Sequence, residues 1–80
     1  GVYHAIQEKG LKIPQDIAVL GIDNIPLSEY YYPSLTTISQ SIRKMAKGAM
    51  EILDQRLKNP QIYKCQRIFF QPKLIIRNST

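Results

Sequence analysis

Two polar residues, Asp23 and Asn24, stand directly after the unbroken apolar run Ile17-Ala18-Val19-Leu20-Gly21-Ile22. A run of this length between turn residues fits a strand buried on both faces, as in a parallel sheet. A polar pair just beyond such a strand sits at its carboxyl end, where open α/β sheets bind ligands. The chemistry offered is recognition: an ionised carboxylate accepts several hydrogen bonds. Asp23 also has a plainer reading as a turn or helix-capping residue, since aspartate is common in both roles.

Other reactive chemistry finds little support. His4 is the only histidine. A metal site or a nucleophile–histidine–carboxylate triad would rest on that one residue inside a helix, and a satisfied or solvent-facing histidine is the simpler expectation. Cys65 is the only cysteine. It excludes an internal disulfide, fits a reducing cytoplasm, and lacks the helix N-terminus or motif that would depress its pKa, so it reads as a structural thiol. There is no glycine-rich phosphate loop. The expectation is a non-enzyme with no metal and no cofactor.

The chain has 80 residues, 44% of them apolar and 21% charged. That is at most one small, marginally cored, globular domain. No apolar run is long enough to span a membrane. The net charge is +5, which admits a nucleic-acid surface or a solvated face. The basic residues are spread from Lys9 to Arg77 without a tight run interleaved with aromatics, which favours the solvated face. The chain begins at Gly1 and not at Met, so the absence of a targeting signal decides little.

The elements that would position Asp23 follow from local patterns. Val2, Ala5 and Ile6 have helical spacing, and Lys9-Gly10 is a helix stop, so residues 1–9 read as the end of a helix. Pro14-Gln15 is a turn. Pro26 is well placed to start a short helical turn over residues 27–32, which Pro33 ends. The β-branched residues 35–38 predict a strand. Ile42, Met45, Ala46, Ala49, Ile52, Leu53 and Leu57 form an apolar stripe that predicts a helix over residues 41–58, stopped by Asn59-Pro60. Gly48 costs roughly 1 kcal/mol within that helix, so its use is close packing on a neighbour. Residues 68–70 and 74–76 read as two strand segments broken by Pro72. Too few elements are present to cover a buried parallel strand, so partners for these faces lie outside the chain or in another copy of it.

The order of short motifs resembles the closing section of the lactose-repressor/galactose-repressor (LacI/GalR) family of regulators. Glu8-Lys9-Gly10-Leu11-Lys12-Ile13-Pro14-Gln15-Asp16-Ile17-Ala18-Val19 is similar to the family's E-x-G-x-x-[IV]-P-x-D-[IV]-x-V. Gly21-Ile22-Asp23-Asn24 is similar to G-[FY]-D-[DN], with Ile22 in place of the usual aromatic and Asn24 in place of the commoner aspartate. Pro33-Ser34-Leu35-Thr36-Thr37-Ile38-Ser39-Gln40 matches P-x-L-T-T-[IV]-x-Q. Gln71 to Thr80 is similar to x-P-x-L-[IV]-x-R-x-S-[TV].

The resemblance implies an α/β fold: a fragment of a periplasmic-binding-protein-like type I domain, with a parallel sheet flanked by helices. It implies that residues 1–40 belong to the C-terminal subdomain, 41–66 to a helix crossing to the N-terminal subdomain, and 67–80 to return strands. It implies a ligand-responsive repressor, cytoplasmic, whose effector sits between the subdomains. Asp23 is the implied contact, its carboxylate suiting sugar hydroxyls or purine N–H groups, with Asn24 beside it and Gln40 at a crossover lining the cleft. Tyr30, Tyr31 and Tyr32 fall near the family's dimer interface, where aromatics are enriched; ordinary packing and stacking on a ligand remain open for them. Operator DNA would be met only through a headpiece absent from this chain. A periplasmic sugar-binding protein of a transport system is the alternative with the same fold.

Overall fold

The structure is a computed structural model and describes residues 1–61 and 65–80. The expectations placed on Ile62, Tyr63 and Lys64, within the predicted crossing segment, lie outside the described residues. The chain divides into two units, Gly1–Ser39 with Lys73–Thr80, and Gln40–Pro72.

The first unit opens with α1 (Val2–Glu8). Its end is fixed by Gly10 at φ +71°, with the Gly10 N–H donating to the Gln7 carbonyl (3.0 Å) and the Leu11 N–H to the Ile6 carbonyl (3.2 Å). This pair of reversed bonds closes a Schellman motif, and glycine adopts the left-handed conformation it needs without penalty. Tyr3 ties the helix down: its hydroxyl donates to the Pro33 carbonyl (2.9 Å) and its ring lies 5.7 Å from that of Tyr31. The turn after α1 is held by Asp16, whose carboxylate accepts from the Lys12 N–H (2.7 Å) while its own N–H donates back to the Lys12 carbonyl (2.9 Å).

Three short strands, β1 (Leu20–Ile22), β2 (Thr36–Ser39) and β3 (Lys73–Ile75), form a sheet in that order. β1 and β2 are parallel, with Leu20 opposite Thr36, Gly21 opposite Thr37 and Ile22 opposite Ile38. β3 runs antiparallel to β2, pairing Thr37 with Ile75 and Ser39 with Lys73. The sheet is therefore mixed, not wholly parallel. The short apolar burst at residues 74–76 does not tell a parallel from an antiparallel edge strand, and an antiparallel edge on a parallel sheet is common. A 3-10 helix, Pro26–Glu29, joins β1 to β2 and is shorter than the predicted turn of residues 27–32.

The expected two-faced burial of residues 17–22 is not met within this chain. Only three residues pair as strand, and Leu20 and Ile22 remain 53% and 66% exposed. The interior of this unit is instead polar: Ser28, Thr36, Thr37 and Ser79 are the most deeply buried side chains, and Ile6 is the buried apolar residue.

The second unit consists of α2 (Ile42–Lys58) and the segment after it. Residues 68–70, predicted as a strand, form none. Ile68 and Phe70 pack on the helix instead: a Cβ on Gly48 would lie 3.3 Å from Phe70 Cζ and 3.6 Å from Ile68 Cδ1, the close approach the glycine allows. This contact covers the side of α2 bearing Gly48 and leaves Ile42, Leu53 and Leu57 of the apolar stripe exposed. Cys65 is exposed, contrary to its reading as a structural thiol.

Candidate ligand-binding turn

Asp23 and Asn24 follow β1 at its carboxyl end, and both have positive φ, +89° and +47°. That region is unfavourable for side chains with a Cβ, though Asp and Asn tolerate it best. Two bonds to β2 hold the turn in place. The Asp23 N–H donates to the Ile38 carbonyl (2.8 Å), extending the parallel ladder by one rung. The Asn24 N–H donates to Thr37 Oγ1 (3.1 Å). Backbone held in a costly conformation by its surroundings recurs at ligand sites.

The two residues then diverge. Asp23 is exposed at the strand end. The 3-10 helix that follows has Ile25 as its N-cap, with no side-chain capping bond. Asn24 is half-buried and turned into the protein: its amide nitrogen donates to Ser39 Oγ (3.4 Å) and its Oδ1 accepts from Arg77 Nη2 (2.9 Å). Gln40 follows the carboxyl end of β2 and is the first residue of the second unit.

Arg77 is a participant that the sequence reading quoted only as part of a closing motif. Its side chain is 14% exposed. Nη1 donates to the Leu35 carbonyl (2.8 Å), and Nη2 lies 3.9 Å from Glu29 Oε1 in addition to its bond with Asn24. Its backbone N–H donates to Thr36 Oγ1 (2.8 Å). Ser79 completes the network: its hydroxyl accepts from the Thr36 N–H (2.8 Å) and donates to the Val19 carbonyl (2.7 Å). No local spacing in the sequence marks Arg77, because its guanidinium partners Leu35 and Asn24 lie 42 and 53 residues away. Among the described residues no buried side-chain polar atom lacks a partner.

Tyr30 and Tyr32 are 78% and 92% exposed, and Tyr31, in tilted ring contact with Tyr3, is the least exposed of the three. Tyr31 and Tyr32 line an open cleft of about 560 Å³ with Val2, Tyr3, Leu20 and Leu35. His4 faces solvent, 3.0 Å from Glu8. Among the described residues there is no cluster of three or more His, Cys, Asp or Glu able to hold a metal ion, and no helix long and apolar enough to cross a membrane.

A parallel strand pair, a polar turn at its carboxyl end and an antiparallel return strand are the marks of a periplasmic-binding-protein-like α/β fold. The family described as the periplasmic binding protein-like domain matches residues 1–80, and the chain belongs to it. It is 46% identical over 80 residues to the HTH-type transcriptional repressor PurR of Vibrio campbellii, covering 99% of this chain and 23% of that protein. It is 42% identical over 79 residues to the ribose operon repressor of Haemophilus influenzae, covering 99% of this chain and 24% of that one. The chain thus spans about a quarter of the length of these curated relatives. Among solved structures it is similar to a LacI family transcriptional regulator of Enterococcus faecalis with bound ribose (TM-score 0.88, 34% identity, 100% of this chain and 30% of that one). It is also similar to a LacI family regulator of an Arthrobacter species in complex with lactose (TM-score 0.84, 33% identity, 99% and 30%).

Proposed function

We propose that the chain is the C-terminal part of the effector domain of a LacI-type, ligand-responsive bacterial transcriptional repressor, acting in the cytoplasm, and that Asp23 contacts the effector. The observation that carries the site is the turn at the end of β1: a positive-φ pair braced by two bonds to β2, with Asp23 exposed and Asn24 turned inward. The carboxyl ends of parallel strands are where α/β sheets bind ligands. A carboxylate there accepts from sugar hydroxyls or purine N–H groups. That relatives are repressors and that similar structures hold ribose or lactose supports this class over a transport protein.

In this reading residues 1–40 form part of one subdomain, 41–66 cross to the other and 67–80 return. Gln40, at the first crossover, lines the cleft. The division of the chain after Ser39 and before Lys73 supports that organisation. Tyr30, Tyr31 and Tyr32 contribute to a homodimer, and operator DNA is bound through a separate headpiece. No enzymatic step is assigned. The test is titration of the complete protein with D-ribose and, separately, with guanine. Asp23→Ala is expected to weaken the binding partner's affinity at least tenfold, about 1.4 kcal/mol. Wild-type affinity for the ligand in that variant would remove Asp23 from the site.

A further inference from the structure

The geometry points to Arg77 as the positioning residue of the Asp23–Asn24 turn: its guanidinium fixes the Asn24 side chain and through it the conformation in which Asp23 is presented. The turn's role in ligand binding rests on the function proposed above. The positioning itself does not.

Three observations carry it. First, the arginine is anchored at both ends. Its backbone N–H is held by Thr36 Oγ1 (2.8 Å), and its Nη1 by the Leu35 carbonyl (2.8 Å), so the guanidinium plane has no freedom to swing. Second, the remaining arm meets Asn24 Oδ1 at 2.9 Å, and the same Asn24 amide donates to Ser39 Oγ on β2. Asn24 is therefore bridged between β2 and the segment beyond β3. Third, Asn24 sits at φ +47° beside Asp23 at φ +89°. A backbone in this region persists where its surroundings over-determine it. The two backbone bonds to β2 supply part of that constraint, and the Arg77 fork, which holds the side chain, supplies the rest. A planar fork with diverging N–H groups reaches the Leu35 carbonyl and Asn24 Oδ1 together, which a lysine's point charge cannot reproduce.

Ser79 provides an internal contrast. It belongs to the same polar layer, but its hydroxyl bonds the Thr36 N–H and the Val19 carbonyl. A residue that merely stabilises the unit and one that positions the turn therefore predict different outcomes.

The experiment is amide hydrogen exchange, resolved by segment, on the complete protein and on its Arg77→Ala, Arg77→Lys, Asn24→Asp and Ser79→Ala variants. In Arg77→Ala the Asp23 and Asn24 amides are expected to lose at least tenfold protection while the Val19 amide, bonded to the Ser79 carbonyl (2.9 Å), keeps its own. Arg77→Lys falls between that variant and the parent. Asn24→Asp retains protection, because a carboxylate at this position still accepts from Nη2 with added charge attraction. Ser79→Ala leaves the turn amides unchanged. Loss of protection spread evenly over residues 19–39 in Arg77→Ala, or no loss at all, overturns the positioning role. Titration with D-ribose and guanine, read beside exchange, separates the two ideas. A loosened turn with unchanged affinity refutes the ligand-binding reading alone. An intact turn in Arg77→Ala refutes this inference alone.

Discussion

The Asn24 backbone N–H donates to the hydroxyl of Thr37 at 3.1 Å, across from one parallel strand's end to the middle of the next. Thr37 is fully buried. Its Cβ branch suits the strand, while its oxygen is the acceptor that lets a left-handed residue sit where the ladder ends. Replacing Thr37 with Val keeps the shape and removes the acceptor. The expected cost is about 1–3 kcal/mol, the penalty for a half-buried donor left without a partner. Thr37→Ser retains the oxygen and is expected to cost less. Urea unfolding of the complete protein measures both, and a larger loss for Ser than for Val would show that the methyl group, not the hydrogen bond, matters.

Gly21 faces a different constraint. A Cβ built there would stand 2.8 Å from Leu35 Cδ2 and 3.4 Å from its Cγ. That atom ends a flexible, half-buried side chain able to shift, so Gly21→Ala is expected to destabilise by no more than about 1 kcal/mol, the low end of overpacking. The cause is a single neighbour, so the double variant Gly21→Ala, Leu35→Ala should lose less than the sum of the two single changes. A double-mutant cycle with additive losses would place the strain elsewhere.

The helices and the position of the turn were legible in the chain, and the reasons differ from element to element. The stop at Lys9-Gly10 was readable because glycine at positive φ is a local requirement, and the two Schellman bonds meet it. α2 was readable from its 3.6-residue stripe, and Asn59 ends it. The turn at Asp23 was readable because it ends an apolar run. Three features were not legible. The direction of β3 leaves no trace in hydropathy. Residues 68–70 have strand-like composition, yet aromatic packing over Gly48 replaced a ladder. The Arg77 network depends on residues 42 to 53 positions apart in sequence, and no local pattern encodes it. The inward turn of Asn24 follows from that network.

Gly48 on α2 weighs two opposed effects. Alanine gains up to about 1 kcal/mol of helix propensity over glycine. Its methyl would stand 3.3 Å from Phe70 Cζ and 3.6 Å from Ile68 Cδ1, a tight but not prohibitive fit against a ring outside any strand or helix. Gly48→Ala is expected to fall within about 0.5 kcal/mol of the parent, with Phe70 shifting slightly. Gly48→Val adds two more carbons and loses the propensity gain, so a loss of about 1–3 kcal/mol is expected. Thermal unfolding of the complete protein distinguishes these, and a stabilised valine variant would mean that Phe70 does not pack on this helix in solution.

Tyr32 projects almost wholly into solvent, while Tyr31 beside it makes a tilted ring contact with Tyr3. The pair therefore separates an interface role from a packing role. Substituting Tyr31 removes an intramolecular ring contact as well as any intermolecular one, so its effect on assembly is ambiguous by itself. Tyr32→Ser changes a side chain that is 92% exposed. If these tyrosines anchor a homodimer, that change should weaken self-association by about 1–3 kcal/mol, roughly 5- to 150-fold in the dimer dissociation constant. Tyr30→Ser, also exposed, should do the same in smaller measure. Sedimentation equilibrium on the complete protein reads the constant directly. An unchanged dimer in Tyr32→Ser, together with an unchanged melting temperature, would take the tyrosine run out of the interface and leave Tyr31 as a packing residue on α1.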